Sequence, residues 1–182
     1  AHLHDQSVNE IMPWLSFAVQ VDPGNVAAYL MAAFCLAGAG GQPEVAENVL
    51  REAWRHNPRD YRIQQEIAKL ALKRGRLSVA ARAFDIAGRL WLADSGADAD
   101  QARLDRAEQL LYRGLLYENA GELEAAKASY RAMLELFPKR SGIAERLSEL
   151  ETVGRAHPAP ADVWMPILLR DVSFCKHGQE AH

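Results

Sequence analysis

The first fifty residues contain no lysine and no arginine, although the 182-residue chain carries 21 of them. Five acids, Asp5, Glu10, Asp22, Glu44 and Glu47, stand there unopposed. Residues 51–89 reverse the balance, with ten basic residues against four acids, so the net charge of −3 averages an acidic start, a basic middle and a mildly acidic remainder. A net acidic chain argues against a dedicated nucleic-acid binder. Cysteine is equally scarce: Cys35 and Cys175 lie far apart in unlike contexts, which argues against a disulfide framework. Cys35 sits in an apolar helical stretch and reads as a small buried hydrophobe. No apolar run approaches the roughly 20 residues that span a bilayer, and no cleavable signal peptide is visible. The expected picture is a domain that does not itself enter a membrane, cytoplasmic or periplasmic, and excised from a longer chain.

Reaction motifs are missing as well. Gly38-Ala39-Gly40-Gly41 is no dinucleotide fingerprint, because Pro43 takes the place of the last glycine and a helix precedes it where a strand belongs. No Walker lysine, HExxH or GxSxG occurs. Asp98-Ala99-Asp100 opens like a calcium loop, but Ala102 holds the next alternate position and no glycine follows. His2 and His4 share a terminus without a third ligand, Cys175 and His177 form a lone pair, and His56 at a helix end complements the helix dipole. No catalysis, cofactor or metal is expected.

What the chain does have is helical periodicity. Apolar residues make up 49% and charged residues 25%, enough to bury a core and too balanced for general disorder. Alanine is abundant, Val and Ile are sparse, and Gly and Pro fall between periodic segments, which favours an all-α fold. The clearest stretch runs from Ala107 to Pro138, where Leu110, Gly114, Tyr117, Gly121, Ala126, Tyr130 and Pro138 are spaced to build two antiparallel helices. Gly114 is expected to face Ala126 so that the helices approach closely, with Tyr117 and Tyr130 filling the wedge toward neighbouring units. Gly121 ends the first helix in the left-handed conformation, and Pro138 stops the second.

That pattern resembles the tetratricopeptide repeat (TPR), a helix–turn–helix unit of about 34 residues. The resemblance implies a right-handed α-α superhelix, a solenoid of antiparallel helix pairs. Residues 1–6 are expected to be disordered, followed by a repeat array over 7–155. A half repeat at 7–23 consists of one helix ending at Asp22-Pro23, with Pro13 in its first turn or at a kink. This helix takes the place of the second helix of a unit. The chain therefore continues upstream, or another element covers the exposed face. Complete repeats follow at 24–58, 59–93 and 102–138, with a final helix at 140–155. Pro23 and Pro58 lie 35 residues apart, and the surplus residue fits the Gly-rich turn ahead of Pro43. Pro58 and Pro138 lie 80 apart, two units plus 12 residues, which are read as a loop near Asp94 and an early start to the next helix. Residues 156–182 form a Pro-containing linker and a C-terminal segment that caps the array, occupies its groove or docks a second copy.

The resemblance further implies that the first helix of each unit lines a concave groove. Carried over to this chain, its lining includes Leu30, Phe34, Arg62, Gln65, Lys69, Leu72, Lys73, Leu111, Leu115 and Glu118. Leu30 and Phe34 stand where the two-carboxylate clamp of chaperone-binding TPR proteins needs Lys and Asn, which disfavours a chaperone-tail receptor. The expected function is a protein-interaction scaffold for a peptide or partner protein with apolar and acidic character. The alternatives are a self-association module forming a homo-oligomer, or the soluble regulatory part of a larger, membrane-anchored bacterial protein.

Overall fold

The computed structural model describes residues 3–38, 40–93 and 99–153. Among the described residues there are eight α-helices and no strand. The chain divides into two compact units, Ala1–Asp94 and Ser95–His182. The first holds α1 (Leu3–Val21), α2 (Val26–Ala37), α3 (Pro43–His56), α4 (Tyr61–Lys73) and α5 (Leu77–Ala93). The second holds α6 (Ala99–Asn119), α7 (Leu123–Leu136) and α8 (Ser141–Val153). α1 opens at Leu3, inside the stretch expected to be frayed, and Pro13 lies well inside it rather than in its first turn. Pro13 withholds an amide hydrogen from the Asn9 carbonyl, yet the helix continues to Val21. The C-terminal segment 156–182 lies outside the described residues.

Helix boundaries follow from local chemistry. Asn25 and Asp60 cap α2 and α4, their side chains accepting the backbone N–H of Ala28 at 3.0 Å and of Arg62 at 3.0 Å. Pro43 occupies the first turn of α3, where no intrahelical donor is missed. Within pairs, the turns close on a glycine in the left-handed region: Gly75 at φ 69° and Gly121 at φ 78°. The residue after each donates to the carbonyl five positions back, Arg76 to Ala71 at 2.9 Å and Glu122 to Tyr117 at 2.8 Å. In the first pair, Gln42 reaches Leu36 at 2.8 Å, one position further back, so the extra residue of that pair resides in its turn.

Packing is tightest between α2 and α3, α4 and α5, and α6 and α7. Fully buried alanines line these contacts, among them Ala46, Ala53, Ala68, Ala80, Ala87 and Ala126. Gly114 completes the set, with the Tyr130 ring closest to its open Cβ position. A Cβ at Gly114 would run into the ring of Tyr130, one helical turn beyond Ala126. The helix pair is thus a glycine fitted beneath an aromatic ring. Tyr130 extends past its own pair into a cluster with Leu150 of α8, while Tyr117 packs at its edge.

In the first unit, successive pairs are also tied by polar contacts. Asn57 Nδ2 donates to the Pro23 carbonyl at 2.9 Å, stacking one inter-pair turn on the previous one. Glu47 of α3 receives Arg74 at 2.9 Å and also pairs with Arg76, both in the α4–α5 turn, while Glu44 pairs with Arg74 at 2.7 Å. The acids at the start of α3 and part of the basic middle block therefore neutralise one another.

Gly114→Ala is expected to destabilise the chain by about 1–3 kcal/mol, because the added methyl overpacks the Tyr130 ring. Gly142→Ala, with open space at its Cβ position, should change stability by less than about 0.5 kcal/mol. Urea denaturation of both variants checks the contrast.

Candidate partner-binding groove

Helical spacing sorts the predicted groove residues into two stripes. On α4, Tyr61, Gln65, Ala68 and Leu72 follow at i, i+4, i+7 and i+11, and all four are buried. Arg62, Glu66, Lys69 and Lys73 follow at the same spacing one residue later and form the outward stripe, exposed at Arg62 and half-buried at the others. α2 repeats the arrangement 35 positions earlier. Its inner stripe is Val26, Leu30, Ala33 and Ala37, and its outward stripe is Ala27, Met31, Phe34 and Gly38. The two helices pack side by side, with Leu30 and Ile67 meeting in shared apolar clusters. An apolar outward row, with Met31 at 49% exposure and Phe34 at 41%, therefore lies beside a charged one.

Several expectations are corrected by this geometry. Gln65 and Leu72 are each only 3% exposed and belong to the core instead of the groove surface. Leu30 is half-buried between α2 and α4, making it part of the floor. Glu118 is 2% exposed; its carboxylate accepts the Tyr130 hydroxyl at 3.0 Å and Arg146 Nε at 3.2 Å, and it forms an ion pair with the same arginine. This buried pair joins α6 to α7 and α8. Burial pushes the Tyr130 hydroxyl well above its ordinary titration range, so it remains a donor to that carboxylate at physiological pH. Leu111 and Leu115 are half-buried in the second unit, Leu111 against both of that unit's apolar clusters. The second unit's residues are thus a separate set from the α2–α4 rows.

Phe34, Arg62, Lys69 and Lys73 remain on the outward rows. Arg62 pairs with its own cap, Asp60, at 2.5 Å, and Lys69 pairs with Glu66 at 3.0 Å. Burial lowers the Lys73 pKa below the ordinary lysine value of 10.5; Glu66 opposes that shift and Lys69 adds to it. Met31 and Glu66 were not among the site residues read from the sequence. Because α2 is apolar on every side, periodicity could not single out its open face at Met31. Glu66 was recoverable from its i,i+3 spacing to Lys69. Cys35, expected to be buried, is half-buried. Among the described residues, no cluster of three or more His, Cys, Asp or Glu side chains is arranged to hold a metal ion. No described helix is long and apolar enough to cross a membrane.

No protein-family model matches the chain, and no curated protein matches it. Among solved structures, the crystal structure of MamA protein is similar, with a TM-score of 0.61 over 96% of this chain and 88% of that one. At 15% sequence identity the likeness is one of fold. Together with the described helices, it makes the chain an all-α, TPR-like helical repeat.

Glu118→Ala is expected to cost about 1–3 kcal/mol, because it leaves the buried Tyr130 hydroxyl without its acceptor, while Arg146 keeps its pair with Glu149. Glu118→Gln should cost less, since the amide still accepts from Tyr130. Thermal and urea unfolding of both variants measures the difference.

Proposed function

We propose that the chain is a non-catalytic scaffold that holds a partner polypeptide along the outward rows of α2 and α4. The observation that carries this reading is their juxtaposition. Met31 and Phe34 occupy the same register on α2 that Glu66 and Lys69 occupy on the adjacent α4. A partner segment with apolar side chains over α2 and carboxylates over α4 complements both rows. Phe34 is the aromatic anchor. Lys73 supplies a positive charge that burial partly strips of solvent, which lowers its pKa. Lys69 and Arg62 would exchange an intramolecular carboxylate for one from the partner, which favours specificity over raw affinity.

A pull-down from native lysate compares the wild-type chain with a Phe34→Ala, Lys69→Glu, Lys73→Glu variant of equal helicity by circular dichroism. Retention by the wild type and loss by the variant is the expected result. Equal retention by both would sink the groove reading.

Affinity for the captured acidic partner should also fall as pH rises through the lowered Lys73 pKa, that is, beginning below 10.5. The sign follows from deprotonation removing the positive charge that faces the partner's carboxylates. A Lys73→Arg variant, charged throughout that window, should keep its affinity. Isothermal titration at stepped pH distinguishes the two.

A further inference from the structure

A third stripe of α2 belongs to neither its inner nor its outward row. Tyr29 and Ala32, spaced i and i+3, line a cleft of about 190 Å³ that α1 and α3 enclose with them. Tyr29 is 2% exposed and Ala32 5%, so the two form its floor. Leu15 and Val19 of α1 and Val49 of α3, all half-buried, form its walls. Its exposed rim comes from Ser16 and Gln20 of α1, spaced i and i+4, and from Glu52 of α3.

The polar groups of this cleft are uncompensated. Among the described residues, neither the Tyr29 hydroxyl nor the Glu52 carboxylate forms a hydrogen bond or an ion pair. A tyrosine this deeply buried ordinarily finds a partner for its hydroxyl. Burial, and then the Glu52 charge, raise the Tyr29 pKa above its ordinary 10.0, so the hydroxyl stays protonated within the carboxylate's field. No cation of the described chain compensates that field at Glu52. Residues 1–50 contain no lysine or arginine, and Arg51 is held by Glu47 and Asn48. Arg55 and His56, three and four positions beyond Glu52, form no ion pair with it.

Size and donor geometry select the ligand. The cleft is smaller than the roughly 300–1,000 Å³ of small-molecule sites and suits one side chain. Its acceptors arrive from three helices: the Glu52 carboxylate from α3, the Tyr29 hydroxyl oxygen from α2, and the Gln20 or Ser16 oxygen from α1. That arrangement suits the three rotatable N–H donors of an ammonium better than the planar fork of a guanidinium. We propose that the cleft binds a lysine side chain of a partner polypeptide, its ammonium held by Glu52 and Tyr29 and its stem lying against Leu15, Val19 and Val49. Lysine commonly buries its stem on apolar surface in this way while its charged head stays near water. The cleft shares no residue with the α2–α4 rows, so the two readings stand or fall separately.

The test titrates the isotope-labelled full chain with capped single residues and follows the backbone amide signals of Tyr29, Ala32 and Val49 by NMR. Nα-acetyl-lysine methylamide is expected to shift these signals saturably. It should bind at least about tenfold more tightly than the norleucine derivative, which has the stem without the ammonium, and more tightly than the arginine derivative. Glu52→Gln, at an exposed position, should weaken lysine binding at least about tenfold with helicity unchanged. Tyr29→Phe, which keeps the ring, should weaken it by a smaller factor. Butylamine, the same stem and head without a backbone, separates the sources: the lysine derivative binding at least as tightly supports a polypeptide ligand. Butylamine bound and the lysine derivative not bound overturns the proposal in favour of a free amine. No saturable shift, equal affinity for the norleucine derivative, tighter binding of the arginine derivative, or undiminished binding by either variant also overturns it.

Discussion

The distance at which two helices of a pair can meet governs most of what this chain presents to its surroundings. Gly114 beneath the Tyr130 ring shows the constraint most plainly, since one added carbon has no room. Ala68 and Phe84 hold the corresponding positions in the preceding pair, and both are fully buried. Close approach consumes the inner stripe of each first helix, leaving one narrow row per helix pointing outward. On α2 that row is Ala27, Met31, Phe34 and Gly38; on α4 it is Arg62, Glu66, Lys69 and Lys73.

The same constraint accounts for the buried carboxylate. Glu118 occupies on α6 the inner position that Leu72 occupies on α4. A charge in such a position persists only with partners supplied from neighbouring elements. Arg146 and Tyr130 supply them from α8 and α7. An apolar layer in the first unit thus becomes a polar link in the second, so truncation destabilises through a cavity at Leu72 and through lost polar partners at Glu118.

The helices and their turns were legible in the sequence because their signals are local. Pro43 and Gly121 each act on the backbone within one turn of helix. The candidate site was only half legible. Groove positions carried over by resemblance mixed the two stripes, so Phe34, Lys69 and Lys73 came with Gln65, Leu72 and Glu118, whose burial depends on neighbouring helices. The α2 sequence VAAYLMAAFCLA is apolar on all sides, and only the packing of α3 and α4 reveals that Met31 is left out. The likeness to the MamA protein structure is likewise one of backbone architecture, at 15% identity.

The regular offset of 35 positions between the open rows of α2 and α4 also bears on how such a surface changes over time. Because inner and outward residues alternate along one helix, substitutions in the outward row leave the packed stripe almost untouched. Surface chemistry and folding are therefore written on interleaved but separable tracks of the same twelve or thirteen residues. A lineage carrying this scaffold can revise the chemistry of its surface residue by residue while holding the architecture constant.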